Sequence, residues 1–283
     1  MLFSGITHVA LNVTDMDKAL EFYCGTLGLK KVFDIFDGNN NPWIVYVKVS
    51  DRKFIELFHN GVKDREKAYD NSYIGYHHMC LSVGDIQALT DSLHKKGALA
   101  GIKPHLNREN NLSIWLEDSD GNGIEVVQYS PESPLMQTNQ DPGFDYARKG
   151  FNGIAHVAFV VGDMDKTLEY YSRLGFDKVY AIDAEQGNPQ INFLRVNDGT
   201  YLELVGGGTV KMPKKPHSAG CSHVCLEGGD IRDAVRQLEK KDVPIDLRPK
   251  VGADGNWQAW IDDPESNRYE LMTLDPACKQ LHV

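Results

Sequence analysis

Four glutamates sit inside apolar runs: Glu56 in KFIELF, Glu125 in GIEVVQY, Glu203 in TYLELV and Glu270 in RYELMTL. Four histidines do the same: His8 in THVALNV, His78 in YHHMCLSV, His156 in AHVAFVV and His223 in SHVCLEG. From each His to the Glu that follows it the separation is 48, 47, 47 and 47 residues, and an aromatic stands ten before each Glu (Tyr46, Trp115, Phe193, Trp260). A single His in an apolar strand reads as a hydrogen-bonded core residue, and one or two of the Glu could face water on a half-exposed sheet. Four buried carboxylates at one register are harder to account for, because an isolated buried carboxylate is strongly unfavourable unless a partner offsets it. Two His and two Glu around a divalent cation would supply that partner. Imidazole suits Zn, Ni, Cu or Fe and carboxylate suits harder ions, so a mixed set fits Zn²⁺, Ni²⁺, Co²⁺, Mn²⁺ or Fe²⁺ with room for water or substrate. Eight donors predict two such sites.

The elements that must position these residues are written four times. Residues 5–23, GITHVALNVTDMDKALEFY, return at 153–171 as GIAHVAFVVGDMDKTLEYY with 13 of 19 positions identical. Fainter copies, YHHMCLSVGDIQAL and CSHVCLEGGDIRDAV, start at 76 and 221. A repeat of this length is a supersecondary unit. Each copy reads as a strand and an amphipathic helix. In the first, Asp15 is the N-cap, Ala19, Leu20, Phe22, Tyr23 and Leu27 form the apolar stripe, and Gly28 closes the helix. Strands follow at about 31–36, 43–49 and 53–58, giving β-α-β-β-β. In the second copy the helix is expected over roughly 85–96. The chain thus divides into modules 4–60 and 73–130 in a first domain (1–130), a linker at 131–150 rich in Pro, Gly and polar residues, and modules 152–207 and 220–276 in a second domain (151–283). The segment 206–220 reads as a further loop. The expected class is α+β, with concave mixed sheets and the helices outside.

Bulk properties narrow the function. A formal net charge of −10 disfavours sequence-independent binding of nucleic acid and of anionic membrane surfaces. No apolar run is long enough to span a bilayer, and the opening MLFSGITHVA shows no basic stretch followed by an apolar one, so the expectation is a cytosolic protein. The five cysteines form no CxxC pair. By strand alternation Cys221, His223 and Cys225 would share a face, which makes a thiolate site conceivable, but buried free cysteine is ordinarily a small hydrophobe. Cys80 follows His78 by two, as Cys225 follows His223, which points to a shared packing position.

βαβββ modules with a His in the first strand and a Glu in the last resemble the vicinal oxygen chelate superfamily, which includes glyoxalase I and the extradiol dioxygenases. THVALNV with DMDKALEFY, and LEDSDGNGIEVVQY, are similar to its opening and closing patterns. The resemblance to glyoxalase I implies a metal held by a His-Glu-His-Glu quartet. Carried over, the quartets fall on His8, Glu56, His78, Glu125 and on His156, Glu203, His223, Glu270, with exchange between halves left open. It implies a metal-dependent lyase or isomerase in which proton abstraction next to a carbonyl gives an enediolate stabilised by the ion as Lewis acid. The last Glu of the quartet, Glu125 or Glu270, is then the base. The substrate would be a small molecule such as a thiol adduct, and the protein a monomer or homodimer. Asn60, four after Glu56, matches a glutathione-contacting position, whereas Gly207 replaces it in the second half. The Arg usual four after the first His is absent, since Asn12 and Val160 stand there. Arg248, Lys250 and Arg108 are candidates to bind an anionic group, or are solvated loop cations.

Two other readings remain open at this stage. An extradiol dioxygenase would hold Fe(II) or Mn(II) on His156, His223 and Glu270. Against it, Glu203 fills a position that family leaves open, Trp260 stands where it carries Tyr, and no His lies between His223 and His282. A resistance-type binding protein would use the concave sheet without chemistry, lined by aromatics such as Trp43, Trp115, Trp257 and Trp260, but has no reason to bury four Glu.

Overall fold

The computed structural model describes residues 2–63, 71–98, 101–138, 144–197, 199–211 and 217–283. Parts of the expected linker (139–143) and of the 206–220 loop (212–216) lie outside the described residues. Module one comprises β1 (Phe3–Asn12), α1 (Met16–Leu20), β2 (Lys30–Phe36), β3 (Pro42–Ser50) and β4 (Lys53–Phe58). Module two comprises β5 (Tyr73–Val83), α2 (Ile86–Lys95), β6 (His105–Leu106), β7 (Leu112–Glu117) and β8 (Gly123–Gln128), followed by α3 (Pro134–Gln137) inside the expected linker. Module three comprises β9 (Phe151–Val161), α4 (Met164–Leu174), β10 (Asp177–Ile182), β11 (Ile191–Asn197) and β12 (Thr200–Gly206), with β13 (Val210–Lys211) after it. Module four comprises β14 (Gly220–Gly228), α5 (Ile231–Glu239), β15 (Leu247–Val251), β16 (Trp257–Asp262) and β17 (Arg268–Thr273).

The four main helices start in the same way. Asp15, Asp85, Asp163 and Asp230 each accept a hydrogen bond from a backbone N–H in the first turn, satisfying a donor the helix cannot. The first helix differs from expectation beyond Leu20, where it widens into a π-turn over Glu21–Thr26 before Gly28 takes a positive φ of 78°.

The sheets do not follow the sequence halves. One has the order β15-β16-β17-β14-β1-β4-β3-β2 and joins modules one and four. The other runs β10-β11-β12-β9-β5-β8-β7-β6 and joins modules two and three. The joins are the antiparallel pairs β1–β14 and β5–β9. Modules one and two, and likewise three and four, instead pack through their helices. Tyr23 of the π-turn donates to Asp118 of module two at 2.8 Å, and Tyr171 of α4 donates to Asp263 of module four at 2.7 Å. The boundary at 131–150 therefore separates sequence repeats but not sheets. A large core runs beneath both sheets on the helix-bearing side, built from residues such as Val9, Leu11, Tyr23, Val157 and Tyr171. Among the described residues no helix is long and apolar enough to cross a membrane.

Candidate metal centres

The two central ladders set where the histidines point. In β1–β14 the register slips at Thr7 and again at Ser222, and in β5–β9 it slips at His77 and Ala155. Each of the four histidines therefore immediately follows an extra residue in its strand. A bulge re-aims the side chains beyond it. Ile6 lies in the helix-side core while His8, two residues later, lies on the opposite, concave face. The same slip separates the cysteines that strand alternation would align: Cys225 lies opposite His8, whereas Cys221 lies opposite Leu11. The three-residue Cys221–His223–Cys225 face expected from alternation is not formed.

The glutamates come from the strands parallel to the central ones. Glu56 is level with Ala10, Glu270 with Cys225, Glu203 with Ala158 and Glu125 with Cys80. Ala10 is in turn opposite His223, Cys225 opposite His8, Ala158 opposite His78 and Cys80 opposite His156. Each row thus carries His, a small residue and Glu, and the small residue leaves space for imidazole and carboxylate to meet above it. The aromatic ten before each Glu is its direct partner on the next strand: Tyr46, Trp115, Phe193 and Trp260. These rings pack edge-on to His8, His78, His156 and His223, with centroids 6.1, 4.7, 5.8 and 4.8 Å away. The recurring spacing is the length of one hairpin that places a wall beside each His.

The eight residues form two quartets, and their membership crosses the halves. In the first, His8 Nε2 is 3.4 Å from Glu56 Oε2 and 3.1 Å from Glu270 Oε2. His223 Nε2 is 3.3 Å from Glu56 Oε2 and 3.4 Å from Glu270 Oε2. The two Nε2 atoms are 3.1 Å apart. In the second, His78 Nε2 lies 3.7 Å from Glu125 and 3.5 Å from Glu203, His156 Nε2 lies 3.3 and 3.0 Å from the same carboxylates, and the two Nε2 atoms are 3.0 Å apart. The resemblance places the quartets on His8-Glu56-His78-Glu125 and His156-Glu203-His223-Glu270 with exchange between halves left open; the clusters formed are the exchanged ones, His8-Glu56-His223-Glu270 and His78-Glu125-His156-Glu203, because the ladders join module one to four and two to three. The dioxygenase triad His156-His223-Glu270 is divided between the two sites for the same reason.

All eight residues are between 1% and 6% exposed. In the first quartet, burial pushes the Glu270 carboxyl up, but hydrogen bonds and charge from His223 and His8 outweigh it and hold the group far below the usual carboxylate range. Burial likewise pushes His223 down, and Glu270 and Glu56 more than reverse this, raising it to about 9. Burial also opposes ionisation of Glu125 and Glu203, and the facing imidazoles again prevail, so both lie below the usual range. The donor set also fits a metal. Bond lengths of about 2.1 Å to N and O place neighbouring donors of a four- to six-coordinate ion roughly 3.0–3.4 Å apart, close to the separations found in both quartets.

The predicted substrate-binding residues fare differently. Asn60 lies just beyond β4, where its Nδ2 meets His217 Nδ1 at 2.7 Å. Arg248 is not turned toward a quartet. Its neighbour Leu247 shares the face of Trp260, so alternation sends Arg248 to the helix side, where it pairs with Glu239 at 2.6 Å and its side chain is 75% exposed. Arg108 donates to the carbonyls of Pro189 and Asp183, at 2.8 and 3.1 Å, so its guanidinium is engaged by the protein itself. Lys250 lies opposite Gln258 and is exposed. Sequence reasoning missed two carboxyls on equivalent turns, the buried Glu109 and the half-buried Asp254. Burial followed by the charges of Glu203 and Glu125 pushes Glu109 up to about 8, and burial with Glu270 raises Asp254. Sitting in polar turns, they carry no apolar context to mark them.

Sheets of paired βαβββ modules with His₂Glu₂ clusters along their centres define a class of α+β proteins with candidate metal centres. The family model described as Glyoxalase/Bleomycin resistance protein/Dioxygenase superfamily matches residues 5–126 and again 153–271, and the chain belongs to that superfamily. It is 33% identical to a probable lactoylglutathione lyase of Synechocystis sp. over 44% of this chain and 95% of that protein. It is 24% identical to the lactoylglutathione lyase of Schizosaccharomyces pombe over 94% of this chain and 95% of that protein. Among solved structures, glyoxalase I from Zea mays superposes with a TM-score of 0.69 at 18% identity, covering 95% of this chain and 92% of that one. A putative dioxygenase from Bacillus subtilis has the same TM-score of 0.69 at 15% identity, covering 98% of this chain and 87% of that one. These superpositions establish the glyoxalase I-like fold, which both activities share.

Proposed function

We propose that the protein is a glyoxalase I-type lyase that uses a divalent metal ion and acts on the thiol adduct of a small 2-oxoaldehyde. The observation that carries this reading is the presence of two complete His₂Glu₂ clusters with donor separations of 3.0 to 3.7 Å. The names of the relatives in Synechocystis and S. pombe supply the reaction class. The bound ion would act as a Lewis acid on the carbonyl oxygen of the substrate, and Zn²⁺, Ni²⁺, Co²⁺, Mn²⁺ and Fe²⁺ all suit the donors.

The chain's own residues do the rest. His8 and His223, or His78 and His156, would hold the ion from the central strands, with the aromatic beside each keeping the imidazole upright. One carboxylate of each pair takes the proton next to the carbonyl and returns it to the neighbouring carbon, the role that the resemblance to glyoxalase I gives to Glu270 and Glu125. Apolar walls limit water around the reacting carbon: Ile44, Tyr46 and Phe54 flank the first site, and Ile191, Phe193 and Tyr201 the second. Elemental analysis of the purified protein, followed by a hemithioacetal isomerisation assay, tests the proposal. Two divalent ions per chain and turnover that disappears on chelation are expected. Protein that takes up no ion after supplementation, or that turns over fully without one, contradicts it.

A further inference from the structure

The two quartets are built alike, but the turns beside them are not. Residues 107–111 and 252–256 are the same turn. The N–H of its first residue donates to the carbonyl of the fifth, Asn107 to Asn111 at 2.9 Å and Gly252 to Asn256 at 2.8 Å. The fourth residue has positive φ in both, 62° at Asn110 and 85° at Gly255. The fifth is an Asn whose Oδ1 accepts from the segment after the last strand, from Ser130 at 2.9 Å and from Asp275 at 2.8 Å. This register sets Asn107 against Gly252, Arg108 against Ala253 and Glu109 against Asp254.

In module two the turn reaches into the site and across it. Asn107 Nδ2 donates to Glu125 Oε1 at 3.2 Å, and Glu109 is 7% exposed. Arg108 continues to the loop between β10 and β11, donating to Pro189 O at 2.8 Å and Asp183 O at 3.1 Å. β6–β7 and β10–β11 form the two opposite edges of their sheet. Opposite edges of a sheet meet only if the connection passes over its concave face. In module four the methyl of Ala253 has no donor for such a link and Gly252 offers no side chain to Glu270; there the C-terminal segment crosses instead, Gln280 donating to Asp254 at 2.8 Å and Lys279 reaching the carbonyl of Asp34 on β2 at 3.4 Å.

We propose that Arg108 differentiates the two sites by access. Its bonds to Asp183 and Pro189 strap the mouth of the His78–Glu125–His156–Glu203 site, which then retains its ion and admits only small ligands. The His8–Glu56–His223–Glu270 site has Ala253 in place of the arginine and is crossed by the single, longer Lys279 bond to Asp34, so it opens more readily and admits the bulky thiol adduct. This inference rests on the metal reading above and concerns which site the substrate reaches.

The test is release of Zn²⁺ to excess EDTA from the zinc-loaded full chain. Two phases of equal amplitude are expected. Loss of the slow phase in His156→Ala or Glu203→Gln, and of the fast phase in His8→Ala or Glu56→Gln, would assign them. Arg108→Ala and Arg108→Lys should each accelerate only the slow phase, Ala by ~10–100-fold, the effect of losing hydrogen bonds made by a charged donor. A single phase, a slow phase that belongs to the His8 site, or a slow phase indifferent to both Arg108 variants overturns the strap while leaving the metal reading intact. Zinc bound at neither site overturns both.

Discussion

His8 and His223 are 215 residues apart in the chain, yet their Nε2 atoms meet at 3.1 Å. Both are turned onto the concave face by a bulge immediately before them. The candidate centre is therefore a property of the pairing between modules one and four, and each residue in it should behave as part of that pair.

Substitutions should group by sheet. His8→Ala and Glu270→Ala, from different halves, should each remove the same one of two bound ions, and the double variant should lose no more. His8→Ala with His78→Ala, from the same half, should lose both. Metal content per chain, measured on folded protein, distinguishes this from pairing within halves. Non-additivity is expected only among residues that share a centre.

Metal binding should release protons. In the metal-free protein the carboxylates hold His223 at about 9, against an ordinary value of 6.5, so it is protonated at neutral pH. An ion needs the neutral imidazole and must displace that proton. Calorimetry in buffers of different ionisation enthalpy should show net proton release at pH 7.5, and affinity should rise with pH up to about 9. Because the folded-state value is raised, this group stabilises the metal-free protein fully below 6.5, and the contribution is lost as pH rises through 9. The melting temperature of metal-free protein should fall over that interval more than that of loaded protein.

Glu109 should act in the opposite sense to an ion-paired carboxylate. It is raised to about 8, so its ionisation on going from pH 5 to pH 8 works against the fold of the metal-free protein. Glu109→Gln should raise the melting temperature of metal-free protein at pH 8 and change it little at pH 5. Equal effects at both values would show that packing, and not charge, governs the position.

The small residue between each His and Glu should be needed for convergence. Ala10 separates His223 from Glu56 in its row. Ala10→Leu should eliminate the first ion and destabilise by about 1–3 kcal/mol, the usual cost of overpacking. Cys225→Ala, which keeps the space open, should retain both ions. Metal content with a denaturant melt reads both effects.

The four-module architecture was legible because the repeat fixes it: Asp15, Asp85, Asp163 and Asp230 start helices in each copy, and the strands of module one lie within a residue or two of expectation. That these four His and four Glu would be buried in contact was legible because a buried carboxylate demands a partner. Their grouping was not, since nothing local in β1 specifies whether it pairs with β5 or β14. The bulges were equally silent, as Thr7, His77, Ala155 and Ser222 share no chemical feature. Arg108 and Arg248 were candidates because a loop cation in a sequence has no visible partner, and both find theirs within the protein.

The most direct measurement is anomalous diffraction from crystals of metal-loaded protein, collected at the absorption edge of the ion. Two peaks are predicted, each at bonding distance (about 2.1 Å) from four donors, one among His8, Glu56, His223 and Glu270 and the other among His78, Glu125, His156 and Glu203. No peak at either cluster, or a peak bonded to His156 together with His223, would contradict the assignment.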